Sequence, residues 1–189
     1  ELKNALRDRD PRVREEAVDA LSAMGPAASS AEWALIPLLA DRNELVRSAT
    51  AHALAAIGVN SAQAPNALIK LMNDTTCGRE ARNSATIALG KVGRTEVTVP
   101  ALIARVRTPQ PPYLVHYAKN SLVTIGEPAL PAIAALLEDP SGRVRKTGRE
   151  LLWTIGEPAL PYIATALATA RKEDRNSILN ILLNIRDGN

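Results

Sequence analysis

Phenylalanine is absent from this 189-residue chain, and two Trp and three Tyr are its only aromatic residues. Half-buried strands favour aromatic and β-branched side chains, so a sheet-built core is poorly served here. The abundant Ala and Leu suit closely stacked helices instead. Cysteine occurs once, as Cys77, which excludes an internal disulfide and a zinc site made of several thiolates. No run of about 18 apolar residues is present, so no segment reads as a membrane-spanning helix. A charge excess of one sign is also missing: 23 basic and 20 acidic residues leave +3. Residues 1–95 hold 12 basic and 11 acidic side chains, and residues 96–189 hold 11 and 9. A nucleic-acid binder usually concentrates a larger basic excess on one face, and a pI near 9.2 does not supply one.

What is present is a recurring phrase, D-x-x-x-x-V-R-x-x-A-x-x-A-L-x-x-I-G. It reads DRDPRVREEAVDALSAMG from Asp8 to Gly25 and DRNELVRSATAHALAAIG from Asp41 to Gly58. Weaker copies close at Gly93 and Gly126, and a clear one runs from Asp139 to Gly156. The closing glycines follow one another at 33, 35, 33 and 30 residues. Self-similarity at that period predicts a solenoid of stacked units, none able to bury its apolar face alone. The chain opens without Met and part-way into the pattern, which predicts a trimmed N-terminus.

Each unit reads as two helices. In the first copy Asp10 is placed to cap the second helix, and Pro11 takes its first position. Val13, Ala17, Ala20, Leu21 and Met24 then share one face, as do Val46, Thr50, Ala53, Leu54 and Ile57, and later Val144, Gly148, Leu151, Leu152 and Ile155. The glycine after each run supplies the left-handed residue that ends many helices. Second helices are predicted near 11–24, 43–57, 79–92, 113–125, 142–155 and 173–186. The first helices centre on AEWALIPLLAD, APNALIKLMND, VPALIARVRT, PALPAIAALLED and PALPYIATALA. Pro37 lies deep in its helix and predicts a late start or a kink there.

These repeats resemble HEAT repeats, specifically the short HEAT-like type first associated with phycobilisome lyases, over essentially the whole chain. The resemblance implies an all-α solenoid, a right-handed superhelix of about six HEAT-like helix pairs in one repeat domain. The units fall near 1–25, 26–58, 59–93, 94–126, 127–156 and 157–189. It also implies that second helices line the concave face, and that an Asp between helices and an Arg early in the second helix form a ladder between neighbouring units. The ladder residues here are Asp8/Arg14, Asp41/Arg47 and Asp139/Arg145, each six residues apart. Pro109 and Val115 replace both partners in the fourth unit, while Thr76 stands with Arg82 in the third and Thr169 with Arg175 in the sixth. Joint loss fits a structural pair, because a lone charge at a packed interface is costly.

Removing the core places leaves the concave positions. They run from Glu15, Asp19 and Ser22, through Ser48, His52 and Ala55, then Asn83, Ile87 and Gly90, to His116, Lys119, Asn120 and Val123. They finish with Lys146, Arg149, Glu150 and Trp153, then Asn176, Asn180 and Leu183. The trend is from acidic and small to basic and aromatic. Tyr113, Tyr117, Trp153 and Tyr162 all lie in units four and five. Aromatic and Arg side chains dominate interface hot spots, so Trp153, Tyr117, His116, Lys119, Arg149 and Lys146 are the candidate contacts for a protein or peptide. The other reading of the same residues is that the tyrosines fill gaps between helices and Lys146 and Arg149 are solvated.

Catalytic chemistry finds little foothold. HEAT-repeat hydroxylases hold iron through His-Glu pairs, and neither histidine here is followed by Glu. Cys77 sits in TTCGRE, a predicted turn with no His nearby in sequence. The expected function is therefore a non-catalytic, cofactor-free scaffold for a protein or peptide, away from membranes and without nucleic acid. Two alternatives come from the resemblance: an auxiliary subunit of a bilin lyase-type enzyme, and a DNA-binding glycosylase-type protein, for which Arg149, Glu150 and Trp153 are a thin echo. The last helix carries Leu179 and Leu183 besides Ile178, Ile181, Leu182 and Ile185, which suggests self-association or further repeats there.

Overall fold

The computed structural model describes residues 2–59, 61–108 and 112–186, with the side chains of 112 and 113 left aside. Pro109 and the Tyr113 side chain, both named above, thus lie outside the described residues. Every regular element among the described residues is helical: α1 (Leu2–Ala5), α2 (Pro11–Met24), α3 (Glu32–Leu35), α4 (Glu44–Ile57), α5 (Gln63–Asn73), α6 (Arg79–Leu89), α7 (Thr95–Arg107), α8 (Pro112–Ile125), α9 (Leu130–Ala134), α10 (Gly142–Ile155), α11 (Leu160–Thr169) and α12 (Lys172–Arg186), with short 3₁₀ stretches between some of them. The chain is an all-α array of about six helix pairs, and its contacts group into two compact units, Glu1–Ala101 and Leu102–Asn189, the boundary falling inside α7.

The second helices form where the repeat places them, except that α6 stops at Leu89, short of the predicted 92, with Gly90 as its C-cap. Asp10 caps α2 by accepting from the Arg12 N–H at 2.9 Å, with Pro11 in the first turn. The closing glycines Gly25, Gly58, Gly93, Gly126 and Gly156 all have positive φ, from +55° to +82°, which a side chain would strain. The first helices are more broken. Pro37 divides its helix into α3 and a 3₁₀ turn over Ile36–Ala40. Pro128 and Pro158 each fall in a 3₁₀ turn that leads into α9 and α11. Pro100 lies inside α7, which begins upstream of the segment the sequence suggested.

In the N-terminal unit α2 packs on α4, and α4 on α6. Val46, Thr50, Ala53, Leu54 and Ile57 are all buried, as the periodicity requires. In α2 only Ala17 and Leu21 of the expected face are buried, joined by Val18, whereas Ala20 is exposed and Met24 is 50% exposed. α2 packs on the long α4, but its other helical neighbours among the described residues are short: the four-residue α1 and the 3₁₀ stretch Gly25–Ala31. In the C-terminal unit Gly148 sets the approach of α10 to the preceding pair: an added Cβ would lie 2.9 Å from Leu136 Cβ.

The Asp–Arg ladder is built differently from its sequence spacing. Each Arg reaches backbone, not carboxylate, six residues back. Arg14 donates to the carbonyls of Asp8 and Arg9, Arg47 to those of Asp41 and Arg42, and Arg145 to those of Asp139 and Pro140. The Asp carboxylates close their own loops, accepting from the N–H of Asp10, Asn43 and Ser141 respectively. The ion pairs then run to the next unit: Arg14 holds Asp41 through two bonds of 2.7 and 2.8 Å. Val115 offers no charge, and Asp139 pairs instead with Arg107 of α7 at 3.1 Å. In the third unit Asp74, not Thr76, occupies the ladder place, since its N–H bonds Leu71 as that of Asp41 bonds Leu38. In the sixth, Asp174 in the first turn of α12 takes that role, 2.7 Å from both Arg145 and Arg149. The Arg145 contact is close but out of line for a hydrogen bond.

Candidate functional site

α10 and α12 lie side by side in the C-terminal unit, and a groove of about 460 Å³ opens between them. α10 contributes Lys146, Arg149, Glu150 and Trp153, and α12 contributes Ser177, Asn180, Ile181 and Asn184. Both sets have the spacing i, i+3, i+4, i+7, which is one face of a helix over two turns. The groove therefore runs along the helices. Trp153 stands 53% exposed at one end, and Lys146 stands exposed seven residues earlier.

The candidate contacts divide on inspection. Lys146, Arg149 and Trp153 come together in this groove. The Arg149 guanidinium is held by the buried Asp174 carboxylate, so it forms part of the wall. Lys119 of α8 is tied to Glu150 by an ion pair. His116 is exposed, bonds the Asn120 amide at 3.0 Å and meets the Tyr117 ring edge-on. Neither His116 nor Tyr117 lines the groove. Ser177 and Asn184 were absent from the sequence reading. The signal that would have found them is the shared spacing of 146/149/150/153 and 177/180/181/184.

Two other polar clusters are structural in form. Between α4 and α6, Ser48 Oγ and Ser84 Oγ lie 2.8 Å apart, and Ser84 Oγ lies 3.0 Å from His52 Nε2. A serine beside a histidine has the outline of an activated nucleophile, but Ser84 is only 1% exposed and no substrate carbonyl could reach it. The Cys77 thiol donates to Asp74 Oδ2 at 3.1 Å. Burial first, and then Asp74, push its pKa up, away from the thiolate that nucleophilic chemistry needs. Among the described residues no three His, Cys, Asp or Glu side chains converge as a metal site. No single helix there is long and apolar enough to cross a membrane.

Residues 31–123 match the family described as HEAT repeats. Over that stretch the chain is built of HEAT-like repeats. Solved structures similar to this chain cover nearly all of it. A designed armadillo repeat protein in complex with the peptide (KR)4 shares 20% identity over 97% of each chain, at a TM-score of 0.56. The complex of CpcE and CpcF of phycocyanin lyase from Nostoc sp. PCC7120 shares 19% over 97% of this chain and 93% of that one, also at 0.56. The archaeal HEAT-like repeats protein from Thermococcus onnurineus NA1 shares 14% over 98% and 86%, at 0.52. At these identities the likeness speaks for the fold. No curated protein matches the chain.

Proposed function

We propose that the HEAT-like array is a non-catalytic scaffold that binds a peptide or an extended protein segment, with the α10–α12 groove as its site. Trp153 carries this reading. The same place, three residues before each closing glycine, holds Ser22, Ala55, Gly90 and Val123 in the first four units, so the repeat does not need a large side chain there. A half-exposed indole over a cleft of ligand-binding size is the kind of anchor that dominates protein interfaces. Ser177, Asn180 and Asn184 beside it each offer a donor and an acceptor, which an extended backbone requires. His116, Tyr117 and Lys119 on α8 would extend the surface past Glu150. The designed armadillo relative that holds a peptide supports the reading.

The alternatives draw on less. The likeness to phycocyanin lyase is one of fold. For DNA, two cations near Trp153 are already committed, Arg149 to Asp174 and Lys119 to Glu150, which leaves little to neutralise phosphates. A displayed random-peptide library panned against wild type and Trp153→Ala tests the proposal. Enriched peptides that lose the variant, with helicity unchanged, are expected. Peptides that bind both proteins equally would sink this site.

A further inference from the structure

We infer that the occupant of the α10–α12 groove is an extended acidic segment lying along the two helices, its carboxylate on Lys146 and an apolar side chain on Trp153. The inference deepens the peptide-binding reading above and rests on it.

Charge selects the acid. Of the ionised groups on the groove wall, Arg149 shares the single Asp174 carboxylate with Arg145, and Glu150 is paired with Lys119. Lys146 has no ion pair among the described residues, so the open charge of the groove is positive. A basic peptide would bring its cations against Lys146 and Arg149 before reaching the indole, and juxtaposed like charges suppress a partner. The (KR)4 ligand of the designed armadillo protein is thus not the chemistry this groove fits.

Geometry sets the spacing. Lys146 and Trp153 are seven residues apart on one helix, about 10.5 Å along its axis. A polyproline II segment rises about 3.1 Å per residue with three residues per turn, so side chains three apart point the same way about 9 Å apart. The carboxylate and the apolar anchor therefore stand three residues apart, with Asn180 and Asn184 available to the backbone between them.

The test uses the full chain and three synthetic peptides, capped at both ends, containing Asp-Ala-Pro-Leu, Lys-Ala-Pro-Leu or Asn-Ala-Pro-Leu. The chain has two indole N–H groups, those of Trp33 and Trp153, and a Trp33→Phe variant assigns the second in NMR titrations. The Asp peptide should move the Trp153 signal and bind about tenfold tighter than the Lys peptide, with Asn between. Lys146→Glu, at an exposed position, should reverse that order. Tighter binding by the Lys peptide, or an order that Lys146→Glu leaves unchanged, overturns the inference and spares the peptide-binding reading. So do library binders that depend on Trp153 but lack acidic residues. A library without Trp153-dependent binders removes the reading and the inference together. Stronger binding of an oligothymidylate at Trp153 replaces the peptide with nucleic acid.

Discussion

Three residues before their closing glycines, α2 and α4 of the N-terminal unit carry Ser22 and Ala55, whereas α10 of the C-terminal unit carries Trp153. The seams between helices differ accordingly. Between α4 and α6, Ser48, Ser84 and His52 hydrogen-bond across a seam whose serines are buried. Between α10 and α12 the corresponding stripe of α10 carries the longer side chains of Lys146, Arg149, Glu150 and Trp153, and a groove remains. One repeat backbone yields a sealed seam or an open cleft according to the size of four or so side chains per helix. The polar locks beneath are common to both: an Arg of one pair grips a buried carboxylate of the next, as Arg14 does Asp41 and Arg145 does Asp174.

The most damaging way to break the comparison is Asp174→Ala. Its carboxylate side chain is 9% exposed and faces two arginines, so its loss strands both. The expected destabilisation is about 3 kcal/mol, measured by urea unfolding. Asp41→Ala removes the matching lock in the N-terminal unit, where one Arg is stranded, and should cost about 1–3 kcal/mol. Equal losses from the two variants would mean that Arg149 gains nothing from Asp174.

Acid should expose the N-terminal locks. Burial pushes the Asp41 carboxyl up, but hydrogen bonds from Arg14 and the Asn43 N–H, with the charges of Arg14 and Arg47, bring it below its ordinary value. Asp74 falls to about 2, chiefly through the Thr76 hydroxyl and the Cys77 thiol. A folded pKa below the unfolded value of about 3.9 means stability that is whole above about pH 4 and lost as pH falls through the folded pKa. The melting temperature of wild type should therefore drop between about pH 4 and 2, and Asp41→Asn should flatten that drop. A parallel decline in both proteins would deny Asp41 a part.

Smaller effects sharpen the contrast. Glu44 Oε1 accepts from the Glu80 N–H at 3.1 Å, capping α6 from the neighbouring pair. Glu44→Ala should cost about 1 kcal/mol, the ordinary loss of a cap. In Gly78→Ala the new Cβ would lie 1.8 Å from that same oxygen and expel it. The double variant should then be no worse than the single ones, which a double-mutant cycle by denaturant melts decides. Smallest of all, Trp153→Ala should leave stability within about 0.5 kcal/mol. A loss of 2 or more, estimated on the same scale, would make Trp153 a packing residue and the groove an accident.

The helices were legible because burial imposes a period: α2 and α10 start and end where the repeat put them, 11–24 and 142–155. The ladder was legible in its members but not in its pairing. Spacing along the chain reports that Arg14 and Asp8 share a loop, yet the Arg14 side chain spans to Asp41, 27 residues on. Asp74 was missed because its loop before α6 is longer than the one before α4, so a fixed count of six from Arg82 lands on Thr76. Trp153, Lys146 and Arg149, which line one groove, stand out in the sequence because they deviate from their own repeats. Ser177 and Asn184 were not, because a polar residue on a terminal helix looks like any solvated one. Met24 misled in the opposite sense: period places it on the core face, but burial needs a neighbour of matching length.

The carboxylate of Glu44 sits in a socket that only glycine at 78 leaves empty. The equivalent places by repeat count hold Pro11 and Gly142, so neither of those helices carries such a plug. The second and third repeats are consequently matched parts, like one link of a chain filed to fit the next. A duplication, deletion or graft that separates them would leave a plug without a socket, so an engineer who recombines this array should cut elsewhere.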